Sequence, residues 1–302
     1  MKRFDSAFYI ANIIMLTLMA TVLFPGKKAV TSPTAFLACI AIIECIYLSK
    51  LLRKKEKAVG LSEIMIIIWV MFGLWELFVT KLNMLHPVLV PAPENVFNVF
   101  FTQYKVLISG VISSMELLAT GFLFGIGLGV GLGLPVGWIP KLKGIFYPIA
   151  NVLTPIPPVV FAPYLIALMP TFRSASALVI VLGIFWPTFL STIIRVGSIE
   201  PKILDSARVL NVTDGTMITG ILLPYVIPNV IAGLRVTVTT SVMMLTFAEM
   251  MGATSGMGFY IINYTHYANY TNVVAGIIMV GIVVTLLSGL VNIIQRHAVK
   301  WQ

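Results

Sequence analysis

Eight apolar runs divide this chain, at about residues 7–24, 34–49, 62–80, 107–137, 145–169, 174–194, 220–250 and 273–295. About 20 helical residues cross the hydrocarbon core of a bilayer, and backbone inside that core must satisfy its own hydrogen bonds. Runs of this length therefore predict membrane-spanning α-helices. The 107–137 run is longer than one crossing needs and must tilt or protrude. Composition points the same way: 59% of the 302 residues are apolar and only 10% are charged, against roughly 25% charged in a soluble domain. The first run follows Lys2 and Arg3, an arrangement that also opens signal peptides. It is longer than the apolar core of such a peptide and ends at Phe24-Pro25-Gly26 rather than a small-residue cleavage site, so it reads as an uncleaved span. The expected fold class is an all-α polytopic membrane protein of about eight helices.

A net charge of +9 does not point to nucleic acid, because the basic residues sit in short clusters between apolar runs. Fourteen Lys and Arg fall on the side of the termini, including the cluster Lys50, Arg53, Lys54, Lys55 and Lys57, and five on the other. An even number of spans with this bias predicts both termini in the cytoplasm. The charged loop 50–60 is the expected boundary between a two-helix preface, residues 1–60, and the body of the chain, 61–302. Cys39 and Cys45 share one run at a spacing that separates them on a helix, so both read as packing residues rather than a disulfide.

The sequence has no G-x-x-x-x-G-K-[ST] loop for ATP. His86, His266 and His297 are scattered without metal-ligand spacing. A membrane-embedded enzyme is not expected, and no metal or cofactor is expected on this chain.

Gly121, Gly125, Gly129 and Gly133 recur at intervals of four, with Gly127 and Gly131 broadening the stripe. Such a face lets another helix backbone approach closely; a stripe lining a pathway is the alternative. Thr154-Pro155-Ile156-Pro157-Pro158 cannot be regular helix, since each proline removes a donor and clashes with the preceding turn. Such a break is either a kink or a pathway-lining segment. Glu249 ends the apolar run Leu245 to Ala248, and a lipid-facing carboxylate there is costly, so it is expected to face the protein interior with a partner. The same reasoning covers Glu76, Glu116 and Arg235. Glu249, Glu116, Arg235, Pro155, Pro157 and Pro158 are the candidate pathway residues. After Glu249, Met251 to Gly258 suits a tight re-entrant turn, and Tyr264, Tyr267 and Tyr270 suit an interfacial belt.

The most polar internal segment, about 195–218, falls on the cytoplasmic side by the charge count. Glu200 to Asn211 reads as a short helix: Pro201 suits the first helical position, and Asn211 can take the left-handed conformation that ends it. Thr213 or Asp214 could cap a second short helix running towards Leu222-Leu223-Pro224. A helical knob between two spans is a handle for a soluble partner or a packed loop.

This segment resembles the cytoplasmic EAA loop of bacterial ABC importer permeases. Asp205-Ser206-Ala207 stands for E-A-A, Asn211 for the glycine that follows, and Leu223-Pro224 for the ending. The departures are Asp for Glu, Ser for Ala and Asn for Gly, which keep charge, size and turn propensity. Leu74-Trp75-Glu76, Val90 to Val96, Thr154 to Pro158 and Ala248 to Gly258 look like the nitrate/sulfonate/taurine branch of these permeases, in its order. The resemblance covers about residues 62–302 and implies the type I ABC importer transmembrane fold, a six-helix core here preceded by two extra helices. It implies a permease in the bacterial inner membrane, taking a small solute from an extracytoplasmic binding protein. It also implies two cytoplasmic ATPase subunits carrying ATP and Mg, and a second permease copy. The solutes of this class are nitrate, sulfonates, taurine, bicarbonate and vitamin precursors. Pro201, Asp205, Ser206, Ala207, Arg208, Asn211, Leu223 and Pro224 become the candidate coupling residues. Asp205 and Arg208 are expected to pair on one face. Ala207 is expected at the tightest approach to the ATPase, so that Ala207→Glu would leave the chain folded but unable to associate. The alternative class is an ion-coupled secondary transporter without an ATPase, which would need intramembrane ion-coupling carboxylates and usually inverted repeats.

Overall fold

The structure is a computed structural model and describes residues 6–53 and 60–298. All regular structure among them is helical. In order these are α1 (Ser6–Leu23), α2 (Thr34–Arg53) and α3 (Leu61–Trp75), the last continuing as a π-turn over Glu76–Lys81. There follow α4 (Pro93–Thr102), α5 (Tyr104–Trp138), α6 (Pro140–Leu153), a 3₁₀ turn Pro158–Phe161, α7 (Ala162–Leu168) and α8 (Phe172–Gly197). The chain ends with α9 (Pro201–Val209), α10 (Asp214–Thr216), a π-turn Met217–Leu222, α11 (Leu223–Met250), α12 (Met257–His266) and α13 (Tyr270–Ala298). Among the described residues seven helices are long and apolar enough to cross a membrane, or eight if α6 and α7, bent by 85°, form one crossing.

The helices fall into two compact units: one takes the chain up to Leu107 with Ile261–Ile278, the other Ile108–Tyr260 with the chain from Met279. In the first unit α1, α2, α3 and α4 share a single core around Phe36, Ile40, Tyr47, Trp69 and Phe97. The two preface helices are thus packed onto the residues that follow them. Phe36 meets Phe72 at 5.7 Å between ring centroids, and the Tyr47 and Ser62 hydroxyls are 2.9 Å apart, so α2 runs antiparallel to α3. The turn after α1 is stitched to the end of α3. The Lys28 amide donates to the Thr80 carbonyl (3.1 Å), Lys81 Nζ to the Phe24 carbonyl (2.5 Å), and Lys28 Nζ to the carbonyls of Pro87 and Val90. Gly26 has no room for a side chain here, since a Cβ would collide with the Thr80 carbonyl oxygen.

That stitch encloses two carboxyls. Glu76 is 1% exposed and lies 2.9 Å from Lys81 Nζ, and Glu94 is fully buried with Thr80 Oγ1 donating to it at 3.1 Å. Burial, joined by repulsion from the Glu76 carboxylate, pushes the Glu94 carboxyl up from 4.5 to about 7, against hydrogen bonds from its own amide and Thr80 and the charge of Lys81. The folded state therefore favours the protonated form. The stability Glu94 contributes is complete below about pH 4.5 and is lost as pH rises through about 7. Thermal unfolding followed by tryptophan fluorescence should show a midpoint that falls between about pH 5 and 8 in the wild type, with a flatter profile in Glu94→Gln. Equal slopes for the two proteins would contradict this.

In the second unit the glycine stripe of α5 packs on α8. Cβ atoms on Gly121, Gly125, Gly129, Gly133 and Gly137 would lie 2.6–2.8 Å from side-chain atoms of Ile180, Ile184, Thr188, Thr192 and Val196 respectively. Both series advance by four, so α5 and α8 run parallel and in register. A parallel pair has a topological consequence. If α5 and α8 each cross the bilayer, the chain between them must return to the face where α5 began, which makes the bent α6–α7 pair a crossing. Gly127 and Gly131 do not broaden the stripe, contrary to expectation: both are exposed on another face, where an added methyl would meet nothing within 4 Å. A larger side chain at Gly125 or Gly129 should push the helices apart and destabilise the unit by about 1–3 kcal/mol or more. Gly127→Ala should be nearly neutral. Comparable losses of monodisperse protein in detergent from Gly125→Leu and Gly127→Ala would rule out this packing.

Candidate functional site

Three groups of residues carry the functional argument: the segment between α8 and α11, the proline break, and the buried charge on α11. The first forms as its sequence predicts. α9 starts at Pro201, and Asn211 adopts a positive φ of 50° just beyond it. The Thr213 hydroxyl caps α10 by accepting from the Thr216 amide. Polar anchors hold the segment to its own unit. Trp138 Nε1 donates to Asp214 Oδ1 (2.9 Å), Tyr225 Oη donates to the Ser198 carbonyl (3.3 Å), and the Arg195 guanidinium lies 4.8 Å from the Tyr225 ring centre.

Ala207 is 3% exposed and packs into a core with Leu134, Val196, Ile199, Met217, Leu222 and Val226. Its small side chain is therefore used by the chain's own packing, and it also lines a shallow surface groove with Lys202, Ile203, Ser206 and Leu210. The outward surface mixes polar and apolar groups, and its apolar part has no local signal: Val209 is 82% exposed, Leu210 76% and Ile203 39%. Pro201, Asp205 and Ser206 are exposed, and Ser206 Oγ donates to the Lys202 carbonyl. The Arg208 side chain lies outside the described residues, and with it the expected Asp205–Arg208 pair. Leu223 and Pro224 open α11, Leu223 against the same core and Pro224 exposed.

At the break, Pro155 and Pro157 are exposed while Pro158 is buried, beside Gly183. The Ile156 amide bonds back to Leu153 and that of Val160 to Pro157, so the turn is partly satisfied internally.

Glu249 faces the interior, as expected, and has partners. It is 1% exposed; Ser114 Oγ donates to Oε1 (2.6 Å) and the Gly258 amide to Oε2 (2.7 Å). Ser114 Oγ in turn accepts from the Met257 amide (2.8 Å), so carboxylate and hydroxyl together satisfy the first amides of α12. Gly256, at φ 123°, is needed twice over, because a Cβ would also collide with the Glu249 carboxylate. This brace joins α5, α11 and the start of α12 and leaves the carboxylate no free surface for a solute. Sequence reasoning misses Ser114, and with it Ser113 and Ser255, whose hydroxyls meet at 2.8 Å. A pair of serines in an otherwise apolar run is the available signal.

The other two charges differ from expectation in burial. Glu116 has a partner, Arg173 at 2.6 Å, but both side chains are more than half exposed. Arg235 is exposed on this chain and has no side-chain partner among the described residues.

Residues 121–301 match the family described as binding-protein-dependent transport system inner membrane component. The chain belongs to that family. The matched region contains the glycine contacts of α5 with α8, the proline break, the α9 segment and Glu249. This permease is 26% identical over 257 residues to the putative aliphatic sulfonates transport permease protein SsuC of Bacillus subtilis, covering 83% of this chain and 92% of that protein. It is 25% identical over 260 residues to the taurine transport system permease protein TauC of Escherichia coli, at 82% and 90% coverage. A chain of the MetNI methionine ABC transporter, crystallised in inward-facing conformations, superposes with a TM-score of 0.54 at 20% identity, covering 66% of this chain and 99% of that one. The fold is that of a type I ABC importer transmembrane domain, and the protein is the permease subunit of a binding-protein-dependent ABC importer. It is a multi-pass membrane protein and not an enzyme; ATP is hydrolysed by a separate subunit. That assignment removes the ion-coupled secondary transporter.

Proposed function

We propose that this permease forms, as a homodimer, the path for a small oxyanion of the nitrate or sulfonate class, with two ATPases docked on its α9 segments. An extracytoplasmic binding protein delivers the solute. Residues 61–302 are the importer domain in this reading, and 1–60 an addition packed onto it. The observation that carries the reading is a short helix, anchored between two spans, that ends in two adjacent exposed apolar side chains, Val209 and Leu210. Val209 and Leu210 give a docking partner adjacent apolar surface to cover. The substrate class is supported by the relatives named for aliphatic sulfonates and taurine. The cytoplasmic placement of both termini is supported by the charge count and by α6–α7 acting as one crossing, which keeps the number of spans even. Glu116, Pro155, Pro157 and Arg235 remain the candidate pathway residues with free surface.

The test is expression of the chain with the ATPase and binding protein encoded beside it. The ATPase should co-purify at one copy per permease. Its hydrolysis in vesicles should rise when loaded binding protein is added from outside. A permease that purifies without any ATPase, across candidate pairs from the same genome, would refute the assembly.

A further inference from the structure

Arg235 is the basic residue of α11. It lies near the middle of a 28-residue helix that forms part of a spanning run, and its side chain is exposed on this chain. A guanidinium keeps its charge in any protein environment, and at that depth it does not face lipid cheaply. It must therefore face water or an opposite charge.

Among the described residues, the second unit offers it no carboxylate. Glu249 is engaged by Ser114 and the Gly258 amide, and Glu116 by Arg173. Glu200, Asp205 and Asp214 lie in the segment before α11, and Asp214, which accepts from Trp138, is about 30 Å away at 1.5 Å per helical residue. The residues of α8 and of the part of α13 in this unit include no acid at all. In a second copy of the chain Glu249 and Glu116 would be engaged in the same way. The hydroxyls beside Arg235 cannot supply donors either: Thr239 Oγ1 donates to the Arg235 carbonyl (3.0 Å) and Thr240 Oγ1 to that of Val236 (3.1 Å). The guanidinium is the donor-rich group on this face.

We propose that Arg235 is an anion-selecting site in the solute path, where the passing oxyanion itself is the missing counter-charge. This deepens the permease reading and rests on it. A planar guanidinium offers two parallel N–H donors to a nitrate, sulfonate or carboxylate, and its field concentrates anions and repels cations in a narrow aqueous path. No affinity need be high; a site that releases its ion quickly serves transport better than one that holds it.

The experiment uses the assembled complex in vesicles, with Cys39→Ser and Cys45→Ser as background and a reporter Thr239→Cys one turn from Arg235. The probes are an anionic sulfonatoethyl and a cationic trimethylammonium-ethyl methanethiosulfonate. With Arg235 present the anionic probe should be favoured over the cationic one by about tenfold relative to Arg235→Gln, as expected of a focused field, and Arg235→Lys should keep most of that preference. Equal preference in the Arg and Gln proteins, or a reporter that neither probe reaches, overturns the proposal. In a second arm, uptake of nitrate and taurine by Arg235→Gln vesicles should drop severely, with co-purified ATPase confirming assembly. Undiminished uptake overturns the proposal too. Failure of the unmutated chain to bind any ATPase would instead defeat the permease assembly, while the thiol arm would still report whether Arg235 selects anions.

Discussion

Changing Val209 and Leu210 together to Asp is expected to strip the ATPase from the permease while leaving the membrane domain intact. Both side chains stand in solvent, so the folded chain loses little when they become polar. Covering a Val and a Leu contributes about 1.5–3 kcal/mol each, and forcing an unpaired carboxylate into the same contact adds a further penalty. The combined loss should exceed about 3 kcal/mol, more than a hundredfold in affinity. Pull-down of the ATPase and binding-protein-stimulated hydrolysis should both disappear, with an unchanged elution profile for the permease. Retention of the ATPase at the wild-type ratio would mean that another surface does the docking. Ala207→Glu is a poorer probe, because it drives a charge into the core formed by Leu134, Val196 and Met217. It should unfold the segment itself, and lost association would then say nothing about contact.

The second large effect should come from Glu249→Leu. It leaves the Gly258 amide and the Ser114 hydroxyl without an acceptor in a region sealed from water. Breaking one side of a buried charged contact costs about 3–5 kcal/mol, enough to deplete the folded protein. Glu249→Gln keeps one acceptor oxygen and should fall between the two. Gly256→Ala should resemble Glu249→Leu, since it meets both the carboxylate and an unfavourable φ. A thermal midpoint for Glu249→Leu indistinguishable from wild type would show that the contacts carry little of the fold's stability. Readout of folding before transport separates this role from any part in the solute path.

The features readable in the sequence are those governed by local rules. Span length, the proline break, the glycine interval, the Pro201 start and the left-handed Asn211 each follow from a few neighbouring residues. Glu249 can be sent inward because lipid penalises a carboxylate whatever surrounds it. What stays hidden depends on residues far apart in the chain. Ser114 lies well over a hundred positions before the amides it serves, 143 in the case of Met257, and nothing near it announces them. Ala207 reads as a contact residue because a small side chain permits close approach, without a sign of whether the approaching surface is foreign or the chain's own. Span position alone groups Glu116 with Glu249, yet Glu116 sits where Arg173 can reach it in the open. The preface helices look separable because a charged loop follows them, although their apolar faces meet α3 and α4.

The interlock of α5 and α8 constrains how a push on α9 can travel. Each of Ile180, Ile184, Thr188, Thr192 and Val196 fills a notch that only glycine leaves open, and the notches recur every four residues. Sliding by less than a full notch, about 6 Å of helix, would drive side chains into occupied backbone. The two helices therefore move as one strut, and a force delivered at the foot of α8 must tilt or translate both. Compliance has to be found elsewhere, and the neighbouring crossing supplies it: at Pro155–Pro158 the chain turns by 85° with few backbone bonds to hold the angle. A nucleotide-driven stroke would then be borne by a stiff member and released at a soft one, so stiffening the proline turn should slow transport even with docking and solute contacts untouched.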